Sequence, residues 1–212
     1  MGIGDHRRMS REPAYTHLRA DPVMADLIER HGPCPLTHNP DVSPYHALVR
    51  TIIFQQISGA AASAIMKRFL ALFKTDFPLP EALAVMEWEV LRADGLSRNK
   101  ALAVIDVAAK SLDGTIPAQG TLAALPDEEV IERLILVRGI GRWTAEMFLM
   151  STLGRPDVLP LNDVGLLNGA KIAYGLADRP NAAAFTTMAA PWQPWRSIAC
   201  WYLWQAADTK LA

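Results

Sequence analysis

Apolar residues recur three and four apart along nearly all of this chain, and no convincing segment alternates apolar and polar with period two. The first spacing builds one face of a helix; only the second would build one face of a strand. Val, Ile and Thr, which suit strands, are scattered here at helical spacing. The chain is therefore predicted to be all-α, with about ten helices.

Start and stop signals divide it. Asp21-Pro22 opens a helix to about His31, and Ser43-Pro44 opens one that ends near Gln55-Gln56. Ser58 caps a helix to about Phe73, and Ser97 caps one that Asp113-Gly114 ends. Asp127, Glu128 and Glu129 load the next first turn with acid, which suits the helix dipole. That helix carries Val130, Ile131, Leu134, Ile135 and Val137 and stops at Gly139. Further helices are predicted from Arg142 to before Gly154, from Val164 to Tyr174, from Pro180 to Ala190 and from Pro194 to Gln205. Residues 1–20 show no such pattern and are predicted to be a loose polar arm.

The chain of 212 residues is half hydrophobic, enough for a sizeable core in one large domain or two lobes. Its formal net charge is −1, so any nucleic-acid partner must meet a local basic face. Between Arg138 and Trp204 six Arg and Lys stand against four Asp and Glu. Two cysteines, Cys34 and Cys200, exclude a disulfide framework and a four-cysteine zinc or iron–sulfur site. A reducing cytoplasm fits that usage. Arg7 and Arg8 precede no apolar run, and no stretch is long and apolar enough for a membrane span. His31, Cys34 and His38 match no strong metal-ligand spacing.

The segment Leu136-Val137-Arg138-Gly139-Ile140-Gly141 joins two predicted helices by a very short turn. A glycine cap inside a helical bundle would look like this. So would a phosphate grip: glycines let a ligand approach closely, and the following helix offers free N–H groups and a positive dipole end. Arg142 and Thr144 stand where side chains can add phosphate contacts. Downstream, Asp163 precedes the Val164 helix, either as its N-cap or as a reactive carboxylate.

The string GIGRWTAEMFLMSTLGRPDVLPLNDVGL, with WQPWRSIACWYLW after it, resembles the helix–hairpin–helix DNA glycosylase superfamily. Within that superfamily it is similar to the alkylated-base, 3-methyladenine type II branch. IIFQQIS and GLSRNKALAVIDVAAKSLDG resemble earlier segments of the same branch, and the likeness runs from about Ser43 to Gln205. One departure is Arg138, where the family usually has proline.

The resemblance implies a two-lobed helical bundle with the active-site cleft between the lobes. The expected division is an N-terminal arm and helix (1–42) on the terminal lobe, a central lobe (43–160) and C-terminal helices (161–212) completing the terminal lobe. The helix–hairpin–helix falls at about 126–153 of the central lobe. Asp163 is implied as the catalytic carboxylate. Breaking an N-glycosidic bond builds positive charge on the sugar, which a fixed carboxylate stabilises while orienting water. Gly139, Ile140, Gly141, Arg142, Thr144 and Gln56 are implied as DNA-binding, with Gln56 the residue that fills the gap left by a flipped base. A solvated helix end would place Gln56 in the same way.

Trp143 and Trp204 are expected to wall a base pocket, with Tyr45 a further candidate; flat aromatic faces suit a flipped cationic base. Trp192, Trp195 and Trp201 are expected in the core, and Arg196 is expected to pair with a carboxylate. Asp157 is read as local structure. Relatives that also cleave the backbone carry a nucleophilic lysine where this chain has Trp143, so no Schiff base forms by that route. No cofactor is expected beyond a monovalent cation on the carbonyls of Val137 and Ile140. The expectation is a cytoplasmic, monomeric, monofunctional glycosylase acting on duplex DNA with alkylated bases. The alternative is a non-catalytic helix–hairpin–helix DNA-binding protein.

Overall fold

A computed structural model describes residues 11–36 and 42–208, and it is helical throughout, with no strand among them. Those residues fall into two compact units, one from 11–36 with 155–208 and one from 42–154.

The first unit begins with α1 (Glu12–Leu18). This corrects the expectation of a loose arm through residue 20. Only Ala14 and Leu18 are buried in α1, so its apolar pattern is one pair four apart, too short to register as a period. Helix α2 (Pro22–His31) follows, with Asp21 accepting from the backbone N–H groups of Val23 and Met24. The second Asp21 oxygen accepts from the Tyr174 hydroxyl and, at 3.1 Å, from the Trp192 indole. One cap thus also satisfies two polar groups from the far end of the chain.

The second unit holds α3 (Pro44–Phe54), α4 (Gly59–Ala71), α5 (Pro80–Ala84), α6 (Trp88–Ala93) and α7 (Arg98–Leu112). Ser43, Ser58 and Ser97 each accept a backbone N–H three residues on, as their sequence positions predict. Helix α7 is the centre of this unit: α3, α5 and α6 all pack on it. Ala101, Ala103, Val104, Val107 and Ala108 form its buried stripe, and the small residues let neighbouring helices come close. Helix α8 (Gln119–Ala124) leads to α9 (Asp127–Leu134) and α10 (Arg142–Ser151), the two arms of the hairpin. Helix α9 ends at Leu134, one turn earlier than its apolar run suggests, and Ile135 is exposed.

The chain returns to the first unit with α11 (Val164–Ala173), α12 (Ala182–Ala189), a 3-10 turn (Ala190–Trp192) and α13 (Arg196–Asp208). Helix α13 packs on α11 and α2. Trp192 is fully buried, while Trp195 and Trp201 are half-buried. The carboxylate for Arg196 is Asp157, held by a bidentate pair of 2.7 and 2.8 Å. Ser197 donates to the Arg155 carbonyl and accepts from the Val158 N–H. The loop before Asp163 is thereby sewn to the start of α13. No helix among the described residues is long and apolar enough to cross a membrane.

Candidate active site

Asp163 is the N-cap of α11, in extended backbone conformation, and is 8% exposed. Its Oδ1 accepts from the Leu166 N–H at 2.7 Å and from the Trp204 indole N–H at 3.3 Å. The carboxylate is therefore oriented from two directions, by its own helix and by α13. Cys200, one turn before Trp204, is buried on the same stretch of α13. Burial pushes its thiol up, and the charge of Asp163 pushes it further.

Two glycines permit this arrangement. A Cβ on Gly169 would stand 1.9 Å from the Leu203 carbonyl oxygen, so α11 and α13 touch backbone to backbone there. A Cβ on Gly165 would crowd Asp163 Oδ1 at 3.2 Å and the Trp204 ring at 3.6 Å. Neither glycine was singled out from the sequence, although two glycines four apart in an apolar helix signal close helix packing. Of the residues expected to act on the base, Asp163 and Trp204 are brought together here.

The hairpin lies in the second unit. Gly139 takes φ +78°, the left-handed conformation its turn requires. Gly141 does not: it is extended, at φ −97°, and caps α10. A Cβ at Gly141 would meet nothing within 4 Å. Neither backbone conformation nor packing demands a glycine at 141. The Ile140 side chain is buried, so only its backbone faces the turn.

The two side chains expected at phosphates both lie against other protein groups in this structure. Thr144 is 6% exposed, on the buried side of α10 with Ala145 and Phe148. Arg142 is held within the protein: Nη1 and Nη2 donate to the two Glu128 oxygens and Nε donates to Glu146 at 3.1 Å. Its guanidinium braces α9 against α10. The Glu128 pairing, 14 residues away, leaves no local sequence signal, whereas Glu146 stands at the i,i+4 spacing of one helix face.

Arg138 explains its own departure from proline. Its backbone N–H donates to Asp106 Oδ2 at 2.7 Å, a bond proline cannot make. A groove of about 590 Å³ runs beside the hairpin, lined among others by Leu102, Ile105, Asp106, Leu136 and Arg138. The Val137 carbonyl accepts from the Ile140 N–H at 3.1 Å.

Trp143 sits in the first turn of α10 and is 48% exposed. Tyr45 is buried, edge-on to Phe77, and lines a separate groove of about 430 Å³ with Ser111 and Ile116. Trp143 does not line that groove. Gln56 is exposed, between α3 and α4, with φ +54°. Its neighbour Gln55 donates its side-chain amide to the Gly139 carbonyl at 3.3 Å. Lys100 Nζ donates to the carbonyls of Ile53, at 2.8 Å, and Gln55, at 2.6 Å. These two residues also went unmarked in the sequence, because partners 45 to 84 residues apart leave no local pattern.

Cys34 is buried, with its N–H on the Tyr15 hydroxyl and its carbonyl on Arg11. His38 lies outside the described residues. Among those described, no group of three or more His, Cys, Asp or Glu side chains is placed to hold a metal ion.

Residues 49–195 match the HhH-GPD superfamily base excision DNA repair protein family. The chain is 35% identical to the alkylbase DNA glycosidase-like protein mag2 of Schizosaccharomyces pombe, over 91% of this chain and 92% of that protein. The structure of S. pombe 3-methyladenine DNA glycosylase Mag1 in complex with abasic DNA superposes with a TM-score of 0.79. It is 34% identical, with 94% of this chain and 98% of that chain covered. A Bacillus halodurans DNA-3-methyladenine glycosidase gives 0.81 at 34% identity, over 99% and 93% of the two chains. With a braced hairpin, a capped carboxylate and these matches together, the chain belongs to the HhH-GPD superfamily of base excision DNA repair proteins.

Proposed function

We propose that this protein is a monofunctional DNA glycosylase that hydrolyses the N-glycosidic bond of alkylated purines, such as 3-methyladenine, in duplex DNA. The observation that carries this reading is Asp163, a nearly buried carboxylate oriented by two N–H donors. As the bond to the base lengthens, positive charge grows on the deoxyribose. A carboxylate already fixed in place stabilises that charge with little reorganisation. It also accepts a proton from the attacking water. A base alkylated on a ring nitrogen carries positive charge and leaves as a neutral molecule, so one carboxylate suffices where ordinary glycosides use two.

The hairpin supplies grip without sequence preference. The N–H groups at the start of α10 and the bare backbone at Gly141 receive a phosphate. The Val137 carbonyl keeps a second lone pair beside its bond to Ile140, which fits a monovalent cation shared with the Ile140 carbonyl. Such an ion would add positive charge beside the phosphate. Gln56, exposed and left-handed, fills the place of the flipped base, and Trp143 offers a half-exposed ring for stacking. The protein works as a monomer. The glycosylases among its relatives favour this reading over a non-catalytic DNA-binding protein.

Trp143 carries no amine, so the product is an intact abasic strand. Incubation with methylated duplex DNA is expected to free the alkylated base without strand scission. Borohydride is expected to trap no protein–DNA adduct. Scission without heat or added base, or a trapped adduct, contradicts the monofunctional reading.

A further inference from the structure

Helix α3 ends at Phe54, and its last carbonyls need partners outside the helix. Lys100 serves two carbonyls at that end from the first turn of α7, one ammonium donating to Ile53 and to the cap residue Gln55. Gln55 then spends its side chain on the carbonyl of Gly139, the left-handed residue of the hairpin. The next residue, Gln56, holds positive φ without being glycine, a conformation that persists only when its surroundings impose it. Lys100 pays for its position: desolvation pulls its ammonium below the ordinary lysine value. The Ile53 and Gln55 acceptors are neutral carbonyls of the one segment that precedes Gln56.

We propose that Lys100 and Gln55 form a clamp that holds the Gln56 loop in its strained conformation and ties it to the hairpin. The residue entering the duplex and the turn gripping the strand are then one rigid piece. A loop free to relax would retreat as the closing base stack pushes on Gln56. A loop tied at both carbonyls and at the hairpin transmits that push into α7 and the strand grip. Lys100 and Gln55 are positioning residues, and the proposal rests on the reading of Gln56 as the intercalating side chain of a glycosylase.

The clamp matters only where a base must be pulled from a duplex. The test compares release of methylated base from duplex and from single-stranded DNA of the same sequence. Lys100→Met keeps the side-chain length and removes the donor; Gln55→Ala is a milder second variant that cuts only the tie to Gly139. Lys100→Met is expected to lower the duplex-to-single-strand ratio of rates about ten-fold, the scale of a lost charge-assisted hydrogen bond. Gln55→Ala should lower it in the same direction. Adding Lys100→Met to Gln56→Ala should lower it no further. A ratio unchanged in both single variants, or effects that multiply in the double variant, overturns the clamp. If Gln56→Ala itself leaves the ratio unchanged, the intercalation reading fails and takes the clamp with it. If wild-type protein frees no base from either DNA, the glycosylase reading fails first.

Discussion

At Asp163 one side chain is both a helix cap and the carboxylate proposed to act on the sugar. The capping bond to Leu166 and the bond from Trp204 both end on Oδ1. An asparagine oxygen can accept both, and asparagine caps a helix about as well as aspartate, so Asp163→Asn should cost less than the ~1 kcal/mol of losing a cap outright. Trp204 separates two roles. If it acts on Asp163 through its N–H, Trp204→Phe keeps an aromatic face and loses the donor. Steady-state kinetics on methylated duplex should then show kcat down about ten-fold with KM little changed. A raised KM at unchanged kcat would assign Trp204 to stacking alone.

Among elements, the seam between α11 and α13 sets where Asp163 and Trp204 meet. Gly169→Ala drives a Cβ into the Leu203 carbonyl and must push the helices apart. Thermal unfolding should report a loss of about 1–3 kcal/mol, as for other overpacked sites. Wild-type stability in that variant would mean the seam is loose. On the hairpin, Arg142 is already occupied by Glu128 and Glu146. Arg142→Ala should therefore change the slope of log affinity against log salt for duplex binding by well under the ~0.9 expected for one phosphate contact. A change of that full size would show that Arg142 leaves its carboxylates for DNA.

Across the whole molecule, what could be read from the sequence was what is local. Asp21, Ser43, Ser58, Ser97 and Asp163 each bond an N–H within three residues, so their caps stand in the sequence as short patterns. The helical class followed from spacing alone, while α1 escaped because two buried residues make no period. The devices that orient the site are not local. Trp204 reaches Asp163 across 41 residues, Arg138 reaches Asp106 across 32, and Lys100 reaches Gln55 across 45. Resemblance singles out Asp163 and Gln56, while the inward face of Thr144 and the pairing of Arg142 emerge only from the fold. A net charge of −1 likewise said little, because the proposed grip at the hairpin calls on backbone N–H groups and a helix end, which a sum over side-chain charges does not register.

The central claim is that Asp163 carries out base removal. Its most direct test is the release of free 3-methyladenine from methylated duplex DNA by wild-type protein and by Asp163→Asn, with folding of both checked by circular dichroism. The wild type should release the base, and Asp163→Asn should be slower by about a hundred-fold or more, the scale for losing a key electrostatic contact in a transition state. Equal release by the two proteins would contradict it.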